Sequence, residues 1–159
     1  MYCHYVCPLY RKVHAFAVSS REGKPLQSIL PPSPLAGKRI VTVEDESITQ
    51  MQLRKVLTRA GLIVVGQAMN GKDGVDLILR EKPDLVTMDI TMPIMDGLEA
   101  TRQVMENNQT CVVIVTAYTN EEYRRKAVEV GACGYVVKPI AAASLLPALE
   151  YIYEHRTAK

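Results

Sequence analysis

The chain has 159 residues, 48% of them apolar and 23% charged, with a mean hydropathy of zero and a net charge of +2. That is enough apolar material for one ordinary core, and it excludes a mainly disordered chain, a collagen-like chain and a coiled coil. The longest aliphatic run, Cys111 to Val115, is too short to span a bilayer, and so small a net charge gives no global bias towards nucleic acid.

Proline placement divides the chain. Five of the nine prolines (Pro8, Pro25, Pro31, Pro32 and Pro34) precede Gly37, and residues 25–37 read PLQSILPPSPLAG. Such a stretch favours extended chain and cannot donate ladder hydrogen bonds. It predicts a proline-rich tail over 1–37 and a domain over 38–159. The charge divides too. The tail holds four basic residues and one acid, net +3; the rest holds 15 basic and 16 acidic, net −1. The mild basicity therefore belongs to the tail. Cys3 and Cys7, with His4 and His14, look like half of a zinc site, but no second Cys/His pair follows to complete four ligands. Ala15-Phe16-Ala17 has the form of a cleavage triplet, yet Arg11, Lys12 and His14 interrupt the apolar stretch that a signal peptide needs. With four cysteines in no regular framework, a reducing, cytoplasmic location is expected. Cys111 and Cys133 read as small buried hydrophobes.

From Arg39 onward, short β-branched runs alternate with amphipathic segments. The runs are Ile40–Val43, Ile63–Val65, Leu85–Met88, Val112–Val115 and Tyr135–Val137. Near-continuous apolar strands suit a sheet covered on both faces. Between the first two, Leu53, Val56, Leu57 and Ala60 recur at helical spacing; after the last, Leu145, Leu149, Ile152 and Tyr153 do the same. Ser47 with Gln50 and Thr119 with Glu122 fit capping boxes, and Asn70 and Asp96 are good N-caps with acids three residues on. Gly61 and Gly131 stand where left-handed C-caps are wanted. Pro147 predicts either a late start near Ser144 or a kink in the last helix. Five βα units in so short a domain imply a doubly wound parallel α/β sheet.

In such sheets the site lies beyond the carboxyl ends of the strands. Strand one runs into Glu44-Asp45-Glu46, strand three into Asp89, strand four into Thr116-Ala117 and strand five into Lys138-Pro139. Carboxylates, a hydroxyl and an ammonium thus converge from four strands. Clustered hard oxygens suit Mg²⁺, and packed carboxylates need a cation or lysine to stay ionised. A central Asp can act as a nucleophile towards phosphorus, and a nearby hydroxyl can bond a phosphate oxygen once phosphate is present. Each residue alone has a plainer reading: Glu44 and Glu46 as a solvated helix start, Thr116 as a strand-end threonine, Tyr135 as a core aromatic, Lys138 as a surface charge. Their convergence favours the chemistry.

The segments IVTVEDES (40–47), DLVTMDITMPIMDGLEA (84–100), VVIVTAYT (112–119) and GACGYVVKPI (131–140) resemble the receiver domain of bacterial two-component response regulators, of the kind typified by the chemotaxis regulator. The resemblance covers nearly all of 38–157. It implies a flavodoxin-like fold with strand order 2-1-3-4-5 and five helices. It implies Asp89 as phosphoacceptor, and Glu44, Asp45, Asp89 and the Thr91 carbonyl as the site for Mg²⁺ or Mn²⁺. Lys138 would pair with the phosphate, Pro139 would follow a cis peptide bond, and Thr116 and Tyr135 would be the switch pair. Thr91 and Tyr118 would line the approach of water, with bulky Tyr118 slowing hydrolysis. Glu44 stands where the family often has Asp. The implied partners are a histidine kinase or histidine phosphotransfer protein, and a downstream protein bound through the face of helix four, strand five and helix five. No direct nucleic-acid or membrane contact is expected. Because the sequence ends at Lys159 with no second domain, its output is expected to be protein binding, onward phosphotransfer, or a domain missing here. Two rivals remain: a non-cycling interaction module, and a phosphatase of the haloacid-dehalogenase kind. That phosphatase would need an Asp where Thr91 stands, and its nucleophile on the first strand.

Overall fold

The computed structural model describes residues 33–107 and 110–156. The expected tail up to residue 32 lies outside these residues, as do the Cys3/His4/Cys7/His14 group and the Ala15–Ala17 triplet. Five strands form one sheet: β1 (Arg39–Val43), β2 (Ile63–Ala68), β3 (Leu85–Met88), β4 (Cys111–Thr116) and β5 (Gly134–Val137). All pairings are parallel and the order is β2-β1-β3-β4-β5. The helices are α1 (Ser47–Arg59), α2 (Gly71–Glu81), α3 (Gly97–Asn107), α4 (Glu121–Glu129) and α5 (Ala142–His155). This is the doubly wound, flavodoxin-like α/β fold.

Period-two alternation sorts the strand side chains into two cores. Val41, Val43, Val86, Met88, Val112 and Ile114 point one way, with Val75, Ile78, Ala100, Val104 and Ala127 from α2, α3 and α4. Ile40, Leu85, Cys111 and Val113 point the other way, with Leu53 and Leu57 of α1 and Leu145, Leu149 and Tyr153 of α5. The central strands β3 and β4 are buried along their whole length, while the edge strands β2 and β5 are mostly half-buried. Helices on both faces explain why the inner strands carry no polar alternation. Packing begins before Lys38: residues Pro34–Gly37 form a turn, and Leu35 is fully buried in the α1/α5 core. Ser33 Oγ donates to Glu150 Oε1 of α5 at 2.5 Å.

The caps divide into two kinds. Asn70 caps α2, its Oδ1 accepting from Asp73 N at 2.9 Å, and Asp96 Oδ1 accepts from Leu98 N and Glu99 N at the start of α3. Neither expected capping box forms. In α1, Ser47 is already helical and Gln50 Nε2 donates instead to the Glu44 and Ala68 carbonyls. In α4, Asn120 precedes the helix without a side-chain cap bond, and Glu122 is held by Lys126 Nζ at 2.6 Å. Gly61 and Gly131 do take the left-handed conformation, at φ 87° and 91°.

Pro147 lies within the last helix. α5 starts at Ala142, before Ser144, and Pro147 lies inside it. The ring removes the bond to the Ala143 carbonyl, but Ala143 and Pro147 are both exposed, so water can take that carbonyl. Cys111 is buried as expected, whereas Cys133 is exposed, because it sits in the bend before β5 rather than within the strand. No helix among the described residues is long and apolar enough to cross a membrane.

Candidate functional site

Parallel register brings the strand ends level. Val43 pairs with Met88, Met88 with Ile114, and Thr116 with Val137. The next residues are Glu44, Asp89 and Lys138. Backbone bonds continue just past the strands: Asp89 N donates to Val43 O at 3.0 Å, and Lys138 N to Thr116 O at 2.8 Å. The side chains that chemistry would use are therefore placed by the sheet, not by free loops.

Lys138 Nζ lies 2.8 Å from Asp89 Oδ2 and 2.8 Å from Glu44 Oε2. The contact with Asp89 is an aligned hydrogen bond. The contact with Glu44 is an ion pair off the hydrogen-bonding axis, which leaves Glu44 Oε2 buried without a hydrogen-bond partner. Glu44 is only 1% exposed. Burial, with the negative charge of Asp89, raises its carboxyl above the ordinary range, although Lys138 pulls the other way. Burial pulls the Lys138 ammonium down, but its contacts with Asp89 and Glu44 outweigh this and hold it above the ordinary lysine value. One ammonium thus faces two buried acids.

Glu44, Asp45 and Asp89 each offer a carboxylate oxygen within 4.8 Å of the others. Asp45 is exposed and the other two are buried, so the cluster opens to solvent on one side. Three hard oxygens at this spacing, two of them on buried carboxylates, fit a divalent cation of the Mg²⁺ type. Asp89 Oδ1 also accepts from Ile90 N at 2.6 Å, which fixes its carboxylate plane.

The remaining expected residues ring this centre. Thr116 is 1% exposed and its Oγ1 accepts from Tyr118 N at 3.4 Å. Tyr135 donates to the Tyr118 carbonyl at 3.0 Å, and the Arg124 guanidinium stands 5.0 Å from its ring. Thr91 Oγ1 donates to the Tyr118 hydroxyl at 3.3 Å, and the Tyr118 ring stacks on Tyr123 at 4.3 Å. Tyr118 therefore links Thr91, Thr116 and Tyr135. The Lys138–Pro139 peptide is cis.

Two residues that brace the site carry no catalytic signature in the sequence. Gln50 ties α1 to the carbonyls at the ends of β1 and β2. Gly97 abuts the phosphoacceptor candidate: a Cβ there would fall 1.8 Å from the Asp89 carbonyl oxygen. Only the pairing of Asp96 as cap with a glycine after it hints at this close approach.

Residues 40–150 match the family model of the response regulator receiver domain. The chain belongs to that family. This receiver is 36% identical over 117 residues to the chemotaxis protein CheY of Thermotoga maritima, covering 73% of this chain and 98% of that one. It is 35% identical over 113 residues to the transcriptional regulatory protein PdtaR of Mycobacterium tuberculosis, covering 71% of this chain but 55% of PdtaR. The receiver thus spans about half of that relative, and 30% of the protein-glutamate methylesterase of Archaeoglobus fulgidus, to which it is 41% identical over 106 residues, 65% of this chain. Among solved structures, a CheY of Borrelia burgdorferi in complex with CheX, BeF₃ and Mg²⁺ superposes with a TM-score of 0.72 at 27% identity, over 74% of the receiver and 90% of that chain.

Proposed function

We propose that this receiver is a phosphorylation switch of a two-component phosphorelay, with Asp89 as phosphoacceptor. The observation that carries the reading is Lys138 Nζ bonded to Asp89 Oδ2 inside the Glu44/Asp45/Asp89 cluster. The donor is a phosphohistidine on a histidine kinase or a histidine phosphotransfer protein. An Asp89 carboxylate oxygen forms a bond to phosphorus as the phosphorus–nitrogen bond breaks. The electron pair leaves with the imidazole nitrogen, which takes up a proton. Water later attacks the phosphorus, and Asp89 is regenerated with release of inorganic phosphate.

Glu44, Asp45, Asp89 and the Thr91 carbonyl would hold Mg²⁺ or Mn²⁺. The ion supplies neutralisation of the charge on the transferring group's oxygens. Lys138, already poised between Asp89 and Glu44, adds its own positive charge there. Thr116 turns its hydroxyl to a phosphate oxygen, which releases Tyr118 N. Tyr135, bonded to the same residue's carbonyl, then moves inward. The face of α4, β5 and α5 changes with it and binds a downstream protein. The switch operates in the cytoplasm, and its receiver begins by Ser33 rather than at residue 38, because Leu35 is part of the α1/α5 core. Because the chain spans 55% of PdtaR, an output module elsewhere in a longer protein is a second reading of how the signal leaves.

The test is phosphorylation by acetyl phosphate with Mg²⁺, read by intact mass. One added phosphate on the wild type and none on Asp89→Asn is expected. Equal labelling of the two would refute Asp89 as acceptor.

A further inference from the structure

The loop between β3 and α3 carries the Thr91 carbonyl, and it is held from outside. Gly97 N donates to Ile90 O at 2.9 Å and closes its neck. Within it, Met95 N donates to Pro93 O at 2.8 Å, a bond that spans Ile94 alone, and Ile94 stands at φ 70°. That bond and that φ belong to the γ-turn of positive φ, a rare and strained form. A β-branched residue fits it poorly, and Ile94 is 79% exposed, so burial does not offset the strain. Strained backbone persists only where its surroundings over-determine it.

Here the surroundings are the first turn of α2. Gly71 N donates to Met95 O at 3.1 Å. The approach is so close that a Cβ on Gly71 would fall 2.4 Å from that oxygen and 3.0 Å from its carbon. The obstacle is backbone, which cannot swing aside as the end of a side chain can. The turn itself is firm. Asn70 caps it with two bonds to Asp73, at 2.8 and 2.9 Å, and Gly71 is buried. Met92 and Met95 pack against the core that Val75 and Ile78 of α2 enter. The loop therefore hangs from a fixed helix.

We propose that Gly71 is a positioning residue for the cation site: its amide and its missing side chain set the seat of the β3–α3 loop, and through it the Thr91 carbonyl. This rests on the reading of Glu44, Asp45, Asp89 and the Thr91 carbonyl as that site. Met95 follows Thr91 by four residues, and the bond from Gly97 to Ile90 keeps the segment closed. A push on Met95 is thus passed along a short loop rather than lost in free chain. Taking Met95 O from 2.4 Å to ordinary contact at 3.4 Å displaces it by ~1 Å, enough to spoil a preorganised site. Mg²⁺ demands near-ideal octahedral geometry. The expected loss of affinity is about tenfold, the low end of what disturbing the supports of a metal ligand costs.

The experiment reads cation binding itself. Mn²⁺ is titrated into the full-length protein with no phosphodonor present, and the free ion is measured by electron paramagnetic resonance. Gly71→Ala should bind about tenfold more weakly than the wild type. Gly66→Ala is the control: its methyl meets the Leu77 side chain at 2.8 Å, farther along the same helix, and its affinity should match the wild type. A second measurement needs no variant. Coupling between two places is reciprocal, so saturating Mg²⁺ should slow hydrogen exchange of the Gly71 amide severalfold. The Lys82 amide, bonded to Ile78 O at the far end of α2, should not change. Equal affinity of Gly71→Ala and the wild type overturns the inference and leaves the cation site standing. So does an equal loss for Gly66→Ala, or a Gly71 amide indifferent to Mg²⁺. A wild type that binds no ion overturns the cation site and the inference together.

Discussion

Replacing Lys138 by Met tests how the site holds its own charges. The lysine is 18% exposed on its side chain and contacts two acids at 2.8 Å, one of them 1% exposed. Removing one partner of a buried ion pair destabilises by about 3–5 kcal/mol. The low end applies here, because Lys138 keeps some solvent and Asp45 opens the cluster to water. The loss depends on pH. The folded-state pKa of Lys138 is raised, so its stabilisation is complete below its unfolded value and lost only as pH rises through the folded one. At pH 8 the full ~3 kcal/mol should therefore be missing from the variant. At pH 4 the raised Glu44 is protonated, so one of the two acids facing Lys138 is neutral and the difference should shrink. Urea denaturation reads this as a midpoint shift of about 1.5 M at pH 8, for a slope near 2 kcal/mol/M. Lys126→Met is the control. Its pair with Glu122 is shorter, at 2.6 Å, but exposed, and the midpoint should hardly move. An equal loss for Lys138→Met at both pH values, or none at pH 8, would refute the argument.

Gly97→Ala should destabilise by about 1–3 kcal/mol despite the better helix former, because the new methyl meets the Asp89 backbone and not a flexible side chain. Its labelling by acetyl phosphate should slow as well, and unchanged stability would count against the close approach. Glu44→Gln should gain thermal stability over the wild type as pH rises from 4 to 7. The wild-type carboxyl is raised in the fold, so its ionisation above ~4.3 draws down stability that the amide never loses; a gap that does not widen with pH would contradict this. Tyr118→Ala removes the ring that Thr91 and Tyr123 hold over the site. Phosphate loss from the labelled variant should be severalfold faster, and an unchanged lifetime would exclude shielding by that ring.

The convergence of Glu44, Asp45, Asp89, Thr116 and Lys138 was legible because each stands at the end of a strand or within two residues beyond it. Once Ile40–Val43, Leu85–Met88 and Val112–Val115 read as parallel strands, register alone carries Glu44, Asp89 and Thr116 to one edge. Helix starts were less legible. A cap is a competition between bonds, and Gln50 and Glu122 found better partners elsewhere, in two strand-end carbonyls and in Lys126. Pro147 pointed to a start near Ser144 or a kink; the helix starts two residues earlier and carries the proline inside it, where the carbonyl it orphans faces water. Cys133 misled because its apolar neighbours in sequence are strand residues, while it stands one step before the strand begins. Gly97 and Gln50 act by what they touch across the fold, and beyond the Asp96 cap beside Gly97 the local pattern carries no trace of such contacts.

Leu35 changes where the domain can be cut. A truncation drawn at the start of the family match, Ile40, or at the proline boundary near Lys38, would remove a side chain with no exposed surface beneath α1 and α5. Such a hole destabilises by about 3–5 kcal/mol when an interior leucine is deleted, a large part of what a domain of this size has to spare. The leucine acts as a plug driven in from outside the sheet, with Ser33 latched to Glu150 beside it. A fragment intended for phosphorylation or crystallisation should therefore start no later than Ser33.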